Sequence, residues 1–363
     1  MATEARGRLR RRSWLQHCAG LPLLLAAPAF GAVAGEALSA LFATWQEGER
    51  HFAGLLRFDA GKRPTTTARI ELPTRAHGLV AESGGSVLVL ARRPGDWMLR
   101  WHPRSGRSRW QWSDGRDVLN GHALQAPQGG PLFSTATELD SGSGIIQARD
   151  PLSLRVLARW PSGGLDPHAL LWHSGRLWVA NGGISTQPET GRVKRDLERM
   201  DSSLAALDPA TGRLLDHWRV DDPRLSLRHL AANGALIGVA MQAEHDDAGQ
   251  RERAPLLAVF DGERLRTVPG AATSDSEISG GYGGDIAAEG RGFVVSATRA
   301  HRLLHWLPEA GWQPSTPLVD AGALAVRGNA IVAAGRGRLL WLGPRDRQAA
   351  SALQQWDNHW VFT

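Results

Sequence analysis

Five histidines, His77, His122, His168, His229 and His359, occupy equivalent points of a pattern that recurs along this sequence, with Asp285 and Ala321 at the remaining two points. Neutral imidazole is a good ligand for iron, copper or zinc, and a carboxylate among imidazoles moves the preference toward harder ions such as ferrous iron. With 13 histidines in 363 residues, seven positions should hold about a quarter of a histidine by composition alone. Five is an excess, although repeats that arose by duplication are not independent draws. Asp166 and Asp357 each stand two residues before one of these histidines, and Arg75 and Arg228 stand two and one before others. Residues two apart on a strand share a face, so Asp166 is expected to orient His168 and Asp357 to orient His359, the outer support that metal ligands need. The same pairs would equally satisfy buried histidines with a purely structural role.

Searches for other chemistry come up empty. There is no His-Glu-x-x-His zinc motif, no Gly-x-Ser-x-Gly elbow, no P-loop and no Cys-x-x-Cys-His for covalent haem. His17, His102, His173, His217, His301 and His305 fall in the N-terminal segment, in outer strands or in turns, where structural roles are expected. Glu244-His245-Asp246-Asp247 reads as a solvated acidic loop, and the glycine-rich stretch 279–284 as a turn between units before it reads as a phosphate cradle.

The elements that must position the histidines are short apolar strands. Asp166-Pro167-His168-Ala169-Leu170-Leu171-Trp172 leads through Ser174-Gly175 into Leu177-Trp178-Val179-Ala180, and the same arrangement starts at 77, 122, 229, 285 and 321. The intervals are 45, 46, 61, 56 and 36 residues, the spacing of propeller blades. Each start is followed by a polar turn for a third and fourth strand: 103–106, 150–153, 208–212, 261–263, 308–311 and 343–346. A seventh turn, Asp59-Ala60-Gly61-Lys62, serves a blade that has an earlier strand at 41–45 but no inner one. Asp357-Asn358-His359-Trp360-Val361 repeats the pattern of Asp166-Pro167-His168-Ala169-Leu170, so the C-terminus should supply it. The expected fold is all-β, a seven-bladed β-propeller over 35–363, closed by a C-terminal inner strand on three N-terminal strands, which removes exposed strand edges. An insertion near 184–203 reads as a solvated flap, or as a lid over one face.

Residues 1–34 are set apart from this fold. Arg10-Arg11-Arg12-Ser13-Trp14-Leu15 precedes an apolar run ending in Ala32-Val33-Ala34, which resembles a twin-arginine export signal; an ordinary secretory signal is the alternative. The run is short for a membrane span, so no stable span is expected in the mature chain. The only cysteine, Cys18, lies here, leaving a mature chain free of thiols, as suits the periplasm. Removing five arginines and one glutamate lowers the formal charge from +6 to +2, which argues against nucleic acid as a partner.

The signal, Val179-Ala180-Asn181-Gly182-Gly183-Ile184 with Gly191-Arg192 and Met200-Asp201-Ser202-Ser203-Leu204, and Leu227-Arg228-His229-Leu230 together resemble a family of exported bacterial propeller-like proteins. The resemblance covers essentially the whole mature chain. Members are encoded beside an imelysin-type lipoprotein, a di-haem peroxidase and a periplasmic iron-uptake component, which implies iron handling with those proteins as partners. The family offers no catalytic residues to carry over. In Gly281-Tyr282-Gly283-Gly284-Asp285, Asp285 replaces the serine that the resemblance leads one to expect.

The expectation is therefore a periplasmic propeller with His77, His122, His168, His229, His359 and Asp285 around a transition metal, iron first and copper or zinc next, supported by Asp166, Asp357, Arg75 and Arg228. Nitrous oxide reductase, whose propeller also presents histidines to a metal cluster, is an analogy at the level of fold only. A lactonase-like hydrolase, in which the His/Asp ring activates water, and a docking scaffold with structural histidines are the alternatives.

Overall fold

The structure, a computed structural model, describes residues 40–186, 193–270, 279–343, 347–352 and 354–363. The expected signal at 1–34, the middle of the insertion and the core of the 343–346 turn lie outside the described residues. Seven sheets form the blades of a β-propeller. Blade 1 comprises Ala76–Ala81, Val87–Ala91, Trp97–His102 and Arg107–Trp112; blade 2 comprises Asp117–Gln125, Leu132–Glu138, Gly144–Arg149 and Val156–Pro161. Blade 3 comprises Pro167–His173, Arg176–Asn181, Ser203–Leu207 and Leu214–Trp218, and blade 4 Leu225–Asn233, Leu236–Ala243, Leu257–Phe260 and Leu265–Thr267. Blade 5 is built from Gly283–Glu289, Gly292–Ala297, Arg302–Leu307 and Gly311–Pro317, and blade 6 from Leu324–Arg327, Ala330–Gly335, Arg338–Leu342 and Arg347–Ser351. In each, successive strands pair antiparallel.

Blade 7 joins the two ends of the chain. Leu41–Glu47, Arg50–Phe58 and Pro64–Leu72 supply three strands, and two short C-terminal pieces, Gln355–Trp356 and Val361–Phe362, pair with Leu41–Glu47 as the inner strand.

Burial explains why each sequence took its place in a blade. Second strands such as Val87–Ala91 and Gly292–Ala297 are buried at every residue, as their unbroken apolar runs require when both faces are covered by neighbouring blades. Outermost strands such as Arg107–Trp112 are largely exposed and carry the charges. Aspartates fix the hairpins: the Asp208 carboxylate accepts from the backbone N–H groups of Ala210 and Thr211, and the Asp261 carboxylate from those of Glu263 and Arg264.

The apolar core is divided into seven clusters, one for each contact between adjacent blades. The tryptophans supply much of their bulk. Trp178, Trp218 and Phe260 meet between blades 3 and 4, and Phe58 meets Trp341 edge-on at 4.8 Å between blades 7 and 6.

The insertion in blade 3 is a ribbon, Ser185–Thr186 paired with Lys194–Arg195, followed by a short 3₁₀ turn at Leu197–Arg199. Lys194 forms an ion pair with Glu244 of blade 4. Glu244 is consequently buried, where the sequence suggested a solvated acid. Its neighbours are engaged too: His245 lies 2.9 Å from Asp222, Asp246 pairs with Arg224, and Asp247 caps the helix Ala248–Arg253. Among the described residues no helix is long and apolar enough to cross a membrane.

Candidate metal centre

The inner strands share a defect at the same level. In blade 1 the pairing runs from Ala76↔Ala91 to Leu79↔Val89, so the inner strand advances three residues against two on its partner, with His77 in the irregular step. Blade 3 does the same around His168, and blade 5 around Asp285. In blade 2 the step from Leu119 to Ala123 spans four residues against two and carries His122; in blade 4 Leu227 to His229 is two against one. Blade 7 follows suit, since Trp356 to Val361 is five residues against three from Trp45 to Phe42, and His359 lies in the looped-out piece. A bulge adds twist and re-aims a side chain, and the histidines at or beside these irregular steps come together in one cluster. In blade 6 the inner strand Leu324–Arg327 pairs without a register shift, and Ala321, which precedes it, packs in the apolar cluster between blades 5 and 6, so this blade adds no ligating group.

The result is a closed circuit of imidazoles. Ring centroids are 4.7 Å apart for His77 and His122, 4.4 Å for His122 and His168, 4.8 Å for His168 and His229, 4.7 Å for His229 and His359, and 4.7 Å for His359 and His77. Four of the five cross-circuit distances, 5.0 to 6.3 Å, are shorter than a flat pentagon of that side allows, so the rings form a compact cluster. Two triads, His77/His122/His168 and His122/His229/His359, each place their ring nitrogens within 4.8 Å of one another.

Glycine makes the packing possible. At Gly121 the backbone is left-handed (φ +94°), and a Cβ there would lie 2.8 Å from Cδ2 of His77. Gly121→Ala is expected to displace that ring and to cost about 1–3 kcal/mol in backbone strain, read as a lower melting temperature together with weaker metal binding. An unchanged melt and titration would show that His77 does not depend on this contact.

Burial first, and then the charges the neighbouring rings and arginines carry, hold the imidazoles of His77, His122, His168 and His229 well below the ordinary histidine value. At neutral pH they are uncharged, the form that ligates. Nε2 of His77, His122 and His359 and Nδ1 of His168 are buried with no hydrogen-bond partner in the protein. Orphaned buried nitrogens each cost about 1–3 kcal/mol, so four of them gathered in one cluster call for an explanation.

Asp285 sits at the edge of this group and outside both triads. Its Oδ1 accepts from the Ile286 N–H at 2.9 Å and its Oδ2 from the Leu324 N–H at 3.0 Å, while Oδ2 lies 3.4 Å from Nδ1 of His359. Expected as a ligand, it instead closes the joint between blades 5 and 6 and faces the outer nitrogen of His359, leaving Nε2 of that ring toward the cluster.

Asp166 and Asp357 do not orient histidines. Asp166 bonds to Arg93 and, at 2.8 Å, to Arg228; Asp357 bonds to Arg75 across the joint between blades 7 and 1. The reason is local: both acids lie outside the strands, Asp166 with a left-handed backbone (φ +52°) just before the bulge, so the two-residue alternation does not apply. Burial opposes the charge on Asp166, but Arg228 and Arg93 together hold its carboxyl below the usual range. Arg228 immediately precedes His229 at the bulge of blade 4, and its charge is among the causes that keep His122, His168 and His229 low. Arg93 is a contributor that sequence reasoning missed; its only signal was the basic pair Arg92-Arg93 at the end of an apolar strand. Other described histidines bond within the blades: His305 bridges Glu289 at 2.5 Å and Thr316 at 2.9 Å, and His102 lies 3.0 Å from the Gly84 carbonyl.

Fold and site together define a seven-bladed propeller that carries a cluster of buried imidazoles able to hold a metal ion. The sequence carries the mark of one lineage of such molecules: residues 70–363 match the protein family of unknown function DUF1513, and the chain belongs to it. No curated protein matches the chain. Among solved structures, hydrazine synthase of Kuenenia stuttgartiensis superposes with a TM-score of 0.61 at 12% identity, over 86% of this chain and 94% of that one. The computationally designed Ika8 protein gives 0.53 at 13% identity, over 88% and 90%. At such identities the likeness is one of fold.

Proposed function

We propose that this propeller binds a divalent first-row transition metal ion at the imidazole cluster, with ferrous iron the first candidate, and serves iron acquisition in the periplasm. The observation that carries the reading is the set of four buried imidazole nitrogens, without protein partners, converging from blades 7, 1, 2 and 3. His77, His122, His168, His229 and His359 would hold the ion, and Asp285 would support His359. Nitrogen ligands about 2.0–2.1 Å from a metal lie closer together than the 4.8 Å limit seen here, so small ring rotations would complete the site. The bound ion would supply a redox-active or Lewis-acidic centre, which neutral imidazoles alone do not.

Iron over copper or zinc rests on the resemblance to exported proteins encoded with iron-uptake genes, as do the twin-arginine route through residues 1–34 and the imelysin-like and peroxidase partners. Nitrogen donors alone would also accept copper or zinc.

Calorimetric titration of the purified mature protein with ferrous, cupric and zinc ions tests the reading. His168→Ala with His359→Ala removes one ligand from each triad, and affinity should fall by at least the roughly 10–100-fold that loss of even a supporting group costs. If the parent binds no ion more tightly than a surface histidine does, the cluster is structural and the propeller is a docking scaffold.

A further inference from the structure

Arg228 precedes His229 on the inner strand of blade 4, and its side chain is wholly buried. Nη1 donates to Asp166 at 2.8 Å, whereas Nε and Nη2 have no acceptor in the protein. These two atoms form the edge of a guanidinium that grips a planar carboxylate through two parallel hydrogen bonds. Elsewhere in this chain the same edge does so: Nε and Nη2 of Arg219 hold Asp201 at 2.6 and 3.0 Å, and those of Arg100 hold Glu82 at 2.7 and 2.6 Å. On Arg228 that edge is made, buried and unmatched.

The acids nearby are already committed. Asp166 is shared between Arg228 and Arg93, Glu244 is taken by Lys194, and Asp285 accepts from two backbone N–H groups beside His359. A divalent cation entering the cluster would find none of these three carboxylates free, so an anion that enters with it is the group placed to meet its charge.

We propose that the Nε/Nη2 edge of Arg228 binds a planar carboxylate-type oxyanion that also ligates the metal held by the histidines, making cation and anion obligate companions in one site. This rests on the metal-binding reading above. The anion has two possible sources, free carbonate or the carboxylate of an organic acid that travels with the metal, and both present the same pair of oxygens.

Zinc and ferrous ions titrated into the parent protein in carbonate-free buffer, in buffer with bicarbonate and in buffer with acetate distinguish them. Metal affinity should rise by about tenfold or more with at least one of the two anions, and by reciprocity the metal should tighten the anion equally. Enhancement by bicarbonate alone assigns free carbonate; enhancement by acetate assigns an organic carboxylate. Arg228→Lys keeps the charge and loses the paired donors, so its enhancement should shrink to within about twofold. If that variant does not fold, the parent titrations decide by themselves. Metal affinity that is the same in all three buffers overturns this inference while leaving metal binding intact; no metal binding in any buffer overturns both.

Discussion

Deletion of residues 355–363 is expected to abolish the cooperative melt of the propeller or to lower its midpoint by roughly 10 °C or more. The segment is the inner strand of blade 7 and belongs to two core clusters at once. Trp360, with Trp356 and Phe362 beside it, packs between blades 6 and 7, and Val361 packs between blades 7 and 1. At roughly 1.5–3 kcal/mol for a fully buried large apolar side chain, the buried Trp360 and the partly buried Trp356 and Phe362 together come to at most about 9 kcal/mol, against the 5–15 kcal/mol that holds a typical domain together. The deletion also strips Leu41–Glu47 of its partner and exposes a strand edge. Circular dichroism melts of the full-length and shortened chains measure the effect. An unchanged midpoint would mean that the ring does not depend on this closure. Trp360→Ala, which keeps the backbone pairing, separates packing from edge exposure and should give a smaller loss with cooperativity retained.

That closure was legible in the chain because a blade is a local unit with a local signature. An apolar run, a glycine turn and a second apolar run recur wherever two faces must be covered, and the aspartate turns mark the outer hairpins. Blade 7 announced itself by what it lacked, and Asp357-Asn358-His359-Trp360-Val361 matched the gap. The equivalence of the five histidines followed from the same repeat, since equivalent residues of a propeller lie at one height around its axis.

What the chain concealed depends on departures from strand regularity. Bulges at His77, His122, His168, Arg228 and Asp285 leave no mark in hydrophobic alternation, because the extra residue is small or polar at a point where alternation is already weak. Counting by twos through such a step assigns the wrong face, which is why Asp166 and Asp357 belong to arginines of other blades. Those arginines, Arg93 and Arg75, are 73 and 282 residues away in sequence from the acids they meet, beyond the reach of any local pattern. Glu244 is a similar case, its burial decided by Lys194 on a ribbon 50 residues before it.

Acid should unfold the metal-free protein over a narrow range below about pH 6.5. His77, His122, His168 and His229 have values depressed in the folded state, first by burial. Above the ordinary histidine value of about 6.5 both folded and unfolded chains hold these rings neutral, and stability does not depend on them. Below it the unfolded chain takes up protons that the folded cluster refuses, so stability falls with pH until the folded values are reached. Each such group contributes up to about 1.4 kcal/mol per pH unit, and four together reach roughly 5 kcal/mol per unit. One and a half units would then consume the stability of an ordinary domain. The charged groups around the rings sharpen the trend: Arg92, Arg93 and Arg228 oppose protonation. Melting temperature should accordingly be flat between pH 7 and 8 and drop steeply from about 6.5 to 5. A bound metal ion should push the collapse to lower pH, because an ion at 100 times its dissociation constant adds about 2.7 kcal/mol to the folded state and competes with protons for the same nitrogens. Thermal melts across this range, with and without zinc, measure both effects. A melting temperature that stays level down to pH 5 in the metal-free protein would show that the imidazoles accept protons inside the fold, and the buried neutral cluster would have to be abandoned.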